Sequence, residues 1–514
     1  MSSAAEKLAE SLESLHRLQE QGRVAIQSTD LSRVHRERLV KNGFLQGVMK
    51  GWYIPSRPDQ QPGESTAWFT SYWRFCCDYL TERFGDDWCL SAEQSLNLHV
   101  GDETIPRQLI VRSDSGTNNV VNLPQGTTIL SLRVSMPKAA RVDEKNGLRL
   151  FSLPSALVNC APIYFRQYPT NARAALASIS NASTLLAELL DGSKTLPAGR
   201  LAGAFRNIGK FHMADEIVKT MRSADHDCRE EDPFESPAPI LLKMTERSPY
   251  VTRMQLMWQS MRQPVLDRFP KSRPLPSNRE DYLQQVQDTY VTDAYHSLSI
   301  EGYQVTPELI EKVRSGLWNS DAYDSDRHQK DALAAKGYWL AYQSVRASLK
   351  RVLVGENAGA VANKDHGEWY RQLLMPSITA GLLRESDLAG YRNEQVYIRH
   401  SSHVPPGKDA ARDMMPAFFF LLQEETEAAI RVVLGHFFFV YIHPYIDGNG
   451  RIGRFLMNLM LASGGYPWTV IPVTRRRDYL VALEAASTEG DIIPFTDLLA
   501  TLVEKTIAGN PEAK

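Results

Sequence analysis

The stretch HPYIDGNGRIGR, His443 to Arg454, gathers an imidazole, a carboxylate, an amide, two guanidiniums and two glycines. Glycine admits dihedrals that other residues resist, so Gly448 and Gly450 allow a tight turn whose N–H groups can converge on one anion. Arg451 and Arg454 are three apart. On a helix both guanidiniums then face one side and can fork onto phosphate oxygens. Asn449 can offer amide donors to a further oxygen. Asp447 is the hard oxygen ligand that Mg2+ takes alongside phosphates. His443 is the nearby group that accepts a proton near neutral pH. A proton acceptor, a metal ligand and a phosphate cradle together suit nucleotidyl or phosphoryl transfer to a hydroxyl or water. Singly, each residue has a structural reading: turn glycines, a capping aspartate, a core histidine, surface arginines. Their meeting in one turn is what points to chemistry.

Such side chains need a platform. The run VVLGHFFFVYI, Val432 to Ile442, is apolar all round, which predicts a helix central to a bundle. Pro444 stops it. RIGRFLMNLMLA predicts a new helix after the glycines, whose N-terminal N–H groups and dipole favour an anion. Further helices are expected over 278–298, 305–317, 325–350, 366–380, 411–424, 426–442, 451–463 and 477–488. GYRNEQVYIRHSSHVPPG, Gly390 to Gly407, alternates and breaks on two prolines, which predicts a β-hairpin among helices.

HPYIDGNGRIGR closely resembles the signature of the Fic family, His-x-Phe-x-Asp/Glu-Gly-Asn-Gly-Arg-x-x-Arg. Every polar position is kept, and Tyr445 stands where phenylalanine is usual. The resemblance extends over roughly the last 235 residues, the size of one domain. It implies that His443 is the general base for a target hydroxyl and that Asp447 holds Mg2+. It implies that Gly448, Asn449, Gly450 and Arg451 cradle the α- and β-phosphates of ATP while Arg454 reaches the γ-phosphate. The implied reaction moves AMP from ATP to a Ser, Thr or Tyr hydroxyl of a protein and releases diphosphate. The hairpin resembles the family's flap, so Val396, Tyr397, Ile398, Arg399 and His400 would pair with target backbone as an added strand. Arg475 to Asp491 resembles the segment lining the adenine, with Tyr479 as its aromatic wall; Ser487 and Thr488 stand where many relatives carry asparagine.

SLSIEG, Ser297 to Gly302, fits the family's inhibitory pattern through Ser297, Glu301 and Gly302. The resemblance implies that Glu301 pairs with Arg454 and takes the place of the γ-phosphate. The plain alternative is a helix end that Gly302 stops.

The chain has 514 residues, 58 Lys+Arg against 60 Asp+Glu, so several domains are expected and any basic surface is local. Five scattered cysteines without paired spacing predict reduced thiols and a cytoplasmic protein. The charged amphipathic N-terminus is not a signal peptide, and no run is long enough for a membrane. The expected architecture is multidomain: an N-terminal winged helix plus α+β domain, then a mostly α-helical Fic domain with a β-hairpin flap. Residues 1–60 read as winged helix-turn-helix-like, helix, helix and hairpin, with Arg33, His35, Arg36, Arg38 and Lys41 on the second helix. Residues 57–65 read as a linker and 66–230 as an α+β domain of unknown role, with strands at QLIVRS, TILSLRVSM and LRLFSLPSALV. Residues 226–239 read as a boundary, 275–303 as the inhibitory helix and 304–508 as the catalytic domain. RLVKNGFLQGVMKGWYIPS resembles antitoxin-type regulators of abortive-infection systems. The alternatives are therefore a DNA-binding, antitoxin-like regulator, or a Fic protein that removes AMP or moves another phosphate-linked group. Keeping GNG, where kinase-like members have ANK, favours AMP. Partners expected are ATP, Mg2+ and a protein substrate; self-modification, DNA at residues 1–60 and a homodimer stay open.

Overall fold

The computed structural model describes residues 3–58, 65–238, 248–318 and 326–513. They divide into two compact units: Met1–Arg253 with Tyr397–Val404, and Met254–Val396 with Pro405–Lys514.

The first unit opens with helix α1, Ala4–Glu20, started by a capping box between Ser3 and Glu6. Strand β1, Ile26–Gln27, helix α2, Arg33–Lys41, and strands β2, Leu45–Met49, and β3, Trp52–Pro55, follow. The strands form an antiparallel sheet in the order β1-β3-β2. Helix, helix and hairpin occur in the expected order; on α2, Arg33 and Lys41 are exposed, while Arg36, Arg38 and His35 contact their own unit. Arg36 Nη1 donates to the Ser28 carbonyl at 2.5 Å, and Arg38 Nη1 to the Lys7 carbonyl at 2.5 Å. Arg33 pairs with Glu37 at 2.7 Å, and His35 Nδ1 meets Ser11 Oγ at 2.9 Å. Most of the expected linker, 59–64, lies outside the described residues.

Helix α3, Thr66–Phe84, then packs Trp68, Tyr72 and Phe75 onto Leu109, Val111 and Ile129. Strand β4, Cys89–Leu90, and helix α4, Ala92–His99, precede β5, Gln108–Ser113, β6, Val120–Asn122, and β7, Thr128–Arg133. The sheet order is β4-β5-β7-β6, with β5 and β7 parallel. Strands β8, Val142–Lys145, and β9, Leu148–Phe151, form an antiparallel pair. The strand expected at LRLFSLPSALV ends there: Pro154 enters the first turn of helix α5, Leu153–Asn159, where its missing N–H costs nothing. Helices α6, Tyr164–Gln167, α7, Pro169–Ser178, α8, Ser183–Leu190, α9, Thr195–Asn207, and α10, Phe211–Ser223, complete the unit's regular elements. The acidic stretch expected as a boundary is instead, up to residue 238, a strap on α9. A Cβ on Gly199 or Gly203 would collide with the backbone of Arg229 or Glu231, so glycine permits the close approach. All five cysteines are buried free thiols, and burial pushes Cys89 and Cys160 up to about 12.

The second unit is helical: α11, Pro249–Leu266, whose first residues belong to the first unit, α12, Arg279–Ile300, α13, Pro307–Arg314, α14, Asp326–Leu353, α15, Ala358–Thr379, α16, Lys408–Glu424, α17, Ala428–Ile442, α18, Asn449–Ser463, α19, Arg476–Thr488, and α20, Ile493–Ile507. The expected helices are present with shifted ends, residue 325 lying outside the described set. Helix α17 is buried along nearly its whole length, as its all-round apolarity requires.

The expected β-hairpin at 390–407 is absent; the segment forms turns and bends without a strand. Pro405 and Pro406 have no N–H to give a ladder. Their carbonyls are taken by side chains instead: Gln395 Nε2 donates to Pro405 at 2.7 Å, and Arg392 Nη2 to Pro406. His400 turns the chain with φ of 59°. Tyr397–Val404 belongs to the first unit. There the Ser402 carbonyl accepts the Ile105 N–H at 3.0 Å, and Val404 is buried in the aromatic core around α3.

Candidate active site

The polar turn between α17 and α18 is stiff. Helix α17 ends on His443 in the left-handed region, φ 52° and ψ 59°. Gly448 opens α18 at φ 81°, and a Cβ there would stand 2.8 Å from Leu373 Cδ2, so only glycine fits. Asn449 clasps Tyr445 in both directions: its Oδ1 accepts the Tyr445 N–H at 2.9 Å and its Nδ2 donates to the Tyr445 carbonyl at 2.8 Å. Tyr445 is buried and stacks on Tyr370 with centroids 3.8 Å apart. Its ring thus anchors the turn. The Asn449 side chain, expected to offer donors to phosphate, spends its oxygen and one of its two amide N–H groups on Tyr445, which leaves the second amide N–H and the backbone N–H.

The partly buried His443 places Nδ1 3.0 Å from the Val440 carbonyl. A carbonyl only accepts, so the neutral ring carries its proton on Nδ1 and leaves the Nε2 lone pair free. Burial lowers the imidazole to about 4, with Arg392 adding to the effect while the Val440 carbonyl, Glu301 and Asp447 oppose it. It is neutral, and able to take a proton, at physiological pH. Burial pushes Asp447 up, but Arg451 and the Gly448 N–H outweigh this and hold it below the usual carboxylate range. Arg451 meets its Oδ2 at 2.9 Å, while the carboxylate stays half exposed.

Both arginines are almost wholly buried, and each keeps an N–H without a partner: Nε of Arg451 and Nη1 of Arg454. The Tyr303 and Tyr479 phenols lie beside these two guanidiniums, and the two donors in the first turns of α18 have capacity left for acceptor oxygens. The remaining donors of Arg454 are held by the last turn of α12. Its Nε donates to Ser297 Oγ at 2.8 Å, its Nη2 to the Ser297 carbonyl at 2.9 Å and to Glu301 Oε1 at 2.7 Å. The Glu301 carboxylate also covers Gly450, where a Cβ would collide with it. Gly302, at φ 92°, turns the chain after it and brings the Tyr303 ring over Arg451, 5.3 Å from guanidinium to centroid.

Two residues escaped the sequence reading. Tyr303 carried no motif. Arg392 lies inside the Gly390–Gly407 stretch but was given no role there; buried beside the turn, it donates from Nε to the His443 carbonyl at 2.8 Å. The structure places Tyr479, expected as the adenine wall, in the interior at 2% exposure. Its hydroxyl meets His436 Nε2 at 2.8 Å and its ring lies against Phe495, because the apolar side of α19 turns inward and a buried phenol needs a partner. Of the flap residues, Val396 stays with the second unit and Tyr397, Ile398, Arg399 and His400 go with the first.

Residues 365–461 match the Fic/DOC family. This part of the chain is therefore a Fic domain, and it contains the whole turn from His443 to Arg454. The protein adenylyltransferase Fic of Drosophila virilis is 33% identical over 224 residues, 43% of this chain and 42% of that protein. The protein of the same name from Drosophila grimshawi is 34% identical over the same span. The chain thus matches less than half the length of these curated relatives. Among solved structures, Fic-1 (residues 134–508) from C. elegans superposes over 67% of this chain and 98% of its own, at 18% identity and a TM-score of 0.38.

Proposed function

We propose that the chain transfers AMP from ATP to a Ser, Thr or Tyr hydroxyl of a protein, and that Glu301 restrains it. The observation that carries this reading is the pair of orphaned guanidinium donors beside a neutral imidazole, on a turn matched to the Fic/DOC family. The names of the relatives point to the same chemistry. Backbone N–H groups of Asn449 and Gly450 and the free donors of Arg451 and Arg454 would bind the triphosphate. His443 Nε2 would take the proton of the acceptor hydroxyl as its oxygen attacks the α-phosphorus, and the bond to the β-phosphate oxygen breaks to release diphosphate. In-line placement and charge stabilisation supply most of the rate. The half-exposed Asp447 carboxylate suits Mg2+, which commonly takes one carboxylate alongside substrate phosphates and would neutralise their charge.

A carboxylate on Arg454 occupies a place and charge that a γ-phosphate would need, so the enzyme is restrained as it stands. Arg36 and Arg38 on α2 each direct one guanidinium nitrogen to the unit's own backbone, and no observation around α2 favours the DNA reading. Purified Glu301→Gly protein incubated with α-labelled ATP should label itself or added protein, and γ-labelled ATP should not. His443→Ala in that form should lower labelling by about 100-fold or more. Retention of γ-label instead would assign phosphoryl transfer and remove the AMP reading.

A further inference from the structure

Arg392 is only 3% exposed, and among the described residues every hydrogen-bond partner of its guanidinium is a backbone carbonyl. Nε donates to His443 at 2.8 Å, Nη1 to Glu394 at 3.0 Å, and Nη2 to Pro406 and, at 3.5 Å, to Ile442. Its own N–H donates to the Pro444 carbonyl at 2.9 Å. One side chain thus ties the end of α17 to both sides of the 393–407 segment. Burying a guanidinium without a carboxylate is expensive. Neutral acceptors leave its charge uncompensated, so the arrangement calls for a use of that charge.

The backbone at His443 is the second observation. A non-glycine residue in the left-handed region costs about 1 kcal/mol or more and persists only where its surroundings hold it. Arg392 grips the carbonyls on both sides of that residue's turn, at Ile442 and His443, and its backbone holds the next one at Pro444.

We infer that Arg392 is the positioning residue for His443: it clamps the left-handed turn that aims the imidazole and links that aim to the base of the 393–407 segment. This rests on the reading of His443 as the general base. The clamp also holds a cation on the His443 backbone, close enough to disfavour the protonated ring. The charged groups facing His443 are Arg392, which disfavours its protonated form, and Glu301 and Asp447, which favour it. Arg392 stays charged at neutral pH although burial, with Arg412 nearby, lowers it to about 10.

The test uses the full chain in the Glu301→Gly form, with Arg392→Gln and Arg392→Lys. Histidine-labelled protein, with His443 assigned by His443→Ala, reports the imidazole titration without any need for activity. Loss of the cation in Arg392→Gln should raise the His443 midpoint by about half a pH unit or more, and Arg392→Lys should move it less. Labelling kcat should fall about tenfold or more in both, since a misaimed base costs rate, while KM for ATP stays within about twofold. An unmoved midpoint with kcat within twofold of the parent overturns the inference. A rise in KM with kcat kept would place Arg392 in nucleotide binding and overturn it too. If Arg392→Gln fails to fold, the folded lysine variant decides, because it keeps charge and loses the carbonyl fork. A silent Glu301→Gly parent would sink the transfer reading, and the titration would still judge Arg392.

Discussion

Arg454 divides its donors between two tasks. Ser297 takes Nε, Ser297 and Glu301 share Nη2, and Nη1 stays empty. A charge-assisted hydrogen bond of this kind contributes about 1.5–3 kcal/mol, which corresponds to about 10–100-fold in an equilibrium. Glu301→Gly should therefore raise the initial rate of self-labelling by that order; a rate within twofold of the parent would remove Glu301 from control. The same variant has a definite pH dependence. As the proposed base His443 would work unprotonated, and its folded-state value is lowered to about 4. Labelling should hold level from neutral pH down to about 5 and fall only at or below about 4, because removing the Glu301 charge lowers the imidazole further. A midpoint near the ordinary imidazole value would show that the ring is not desolvated as described.

At the scale of elements, the site is a junction between two helices, and Asn449 sets its shape. Both of its hydrogen bonds close on the backbone of Tyr445, four residues back. Asn449→Ala leaves those two buried groups without partners, a loss of about 1–3 kcal/mol for each group left unpaired. Urea unfolding should show a lower midpoint with an unchanged slope, and ATP binding by calorimetry should weaken as the first turn of α18 loosens. Full stability with weakened binding alone would instead restore the amide as a phosphate ligand. The 393–407 segment behaves differently from a strand. Its carbonyls are satisfied by Arg392 and Gln395, so it has no ladder to lend strength.

Over the whole molecule, the chain assigns the tip of that segment to the unit that also holds residues 1–253. Val404 shares a core with Trp68, Phe75 and Ile105, and Ser402 shares a backbone hydrogen bond with Ile105. Amide exchange should report this grouping. Peptides spanning 397–404 should exchange with the protection of β5, and Trp68→Ala, expected to cost about 3–5 kcal/mol in that core, should strip it from both. Protection at 428–442 in α17 should persist. If 397–404 exchanges freely in the parent, its membership of that core is wrong. Among the described residues, no helix is long and apolar enough to cross a membrane.

Local chemistry was legible where a residue's meaning depends on its neighbours in the chain. The turn His443–Arg454 lies within twelve residues, so its imidazole, carboxylate, glycines and guanidiniums could be read together, and most helices followed from apolar period and caps. Ser297 and Glu301 were also found, four apart on one helix face. Four things were decided only by the fold. Arg392 reaches His443 across fifty-one positions, a contact no spacing encodes. The burial of Tyr479 was set by packing, because helix α19 turns inward the face that lowers apolar exposure. Alternation at 390–407 promised a hairpin, but a ladder needs donors on both arms, and two prolines and two competing side chains removed it. Tyr397–Val404 joined a core that begins more than 300 positions earlier in the chain. Sequence by itself determined which chemical groups the turn carries, since those are properties of residue types. Tertiary structure decided which of them are free, since each donor can be spent once.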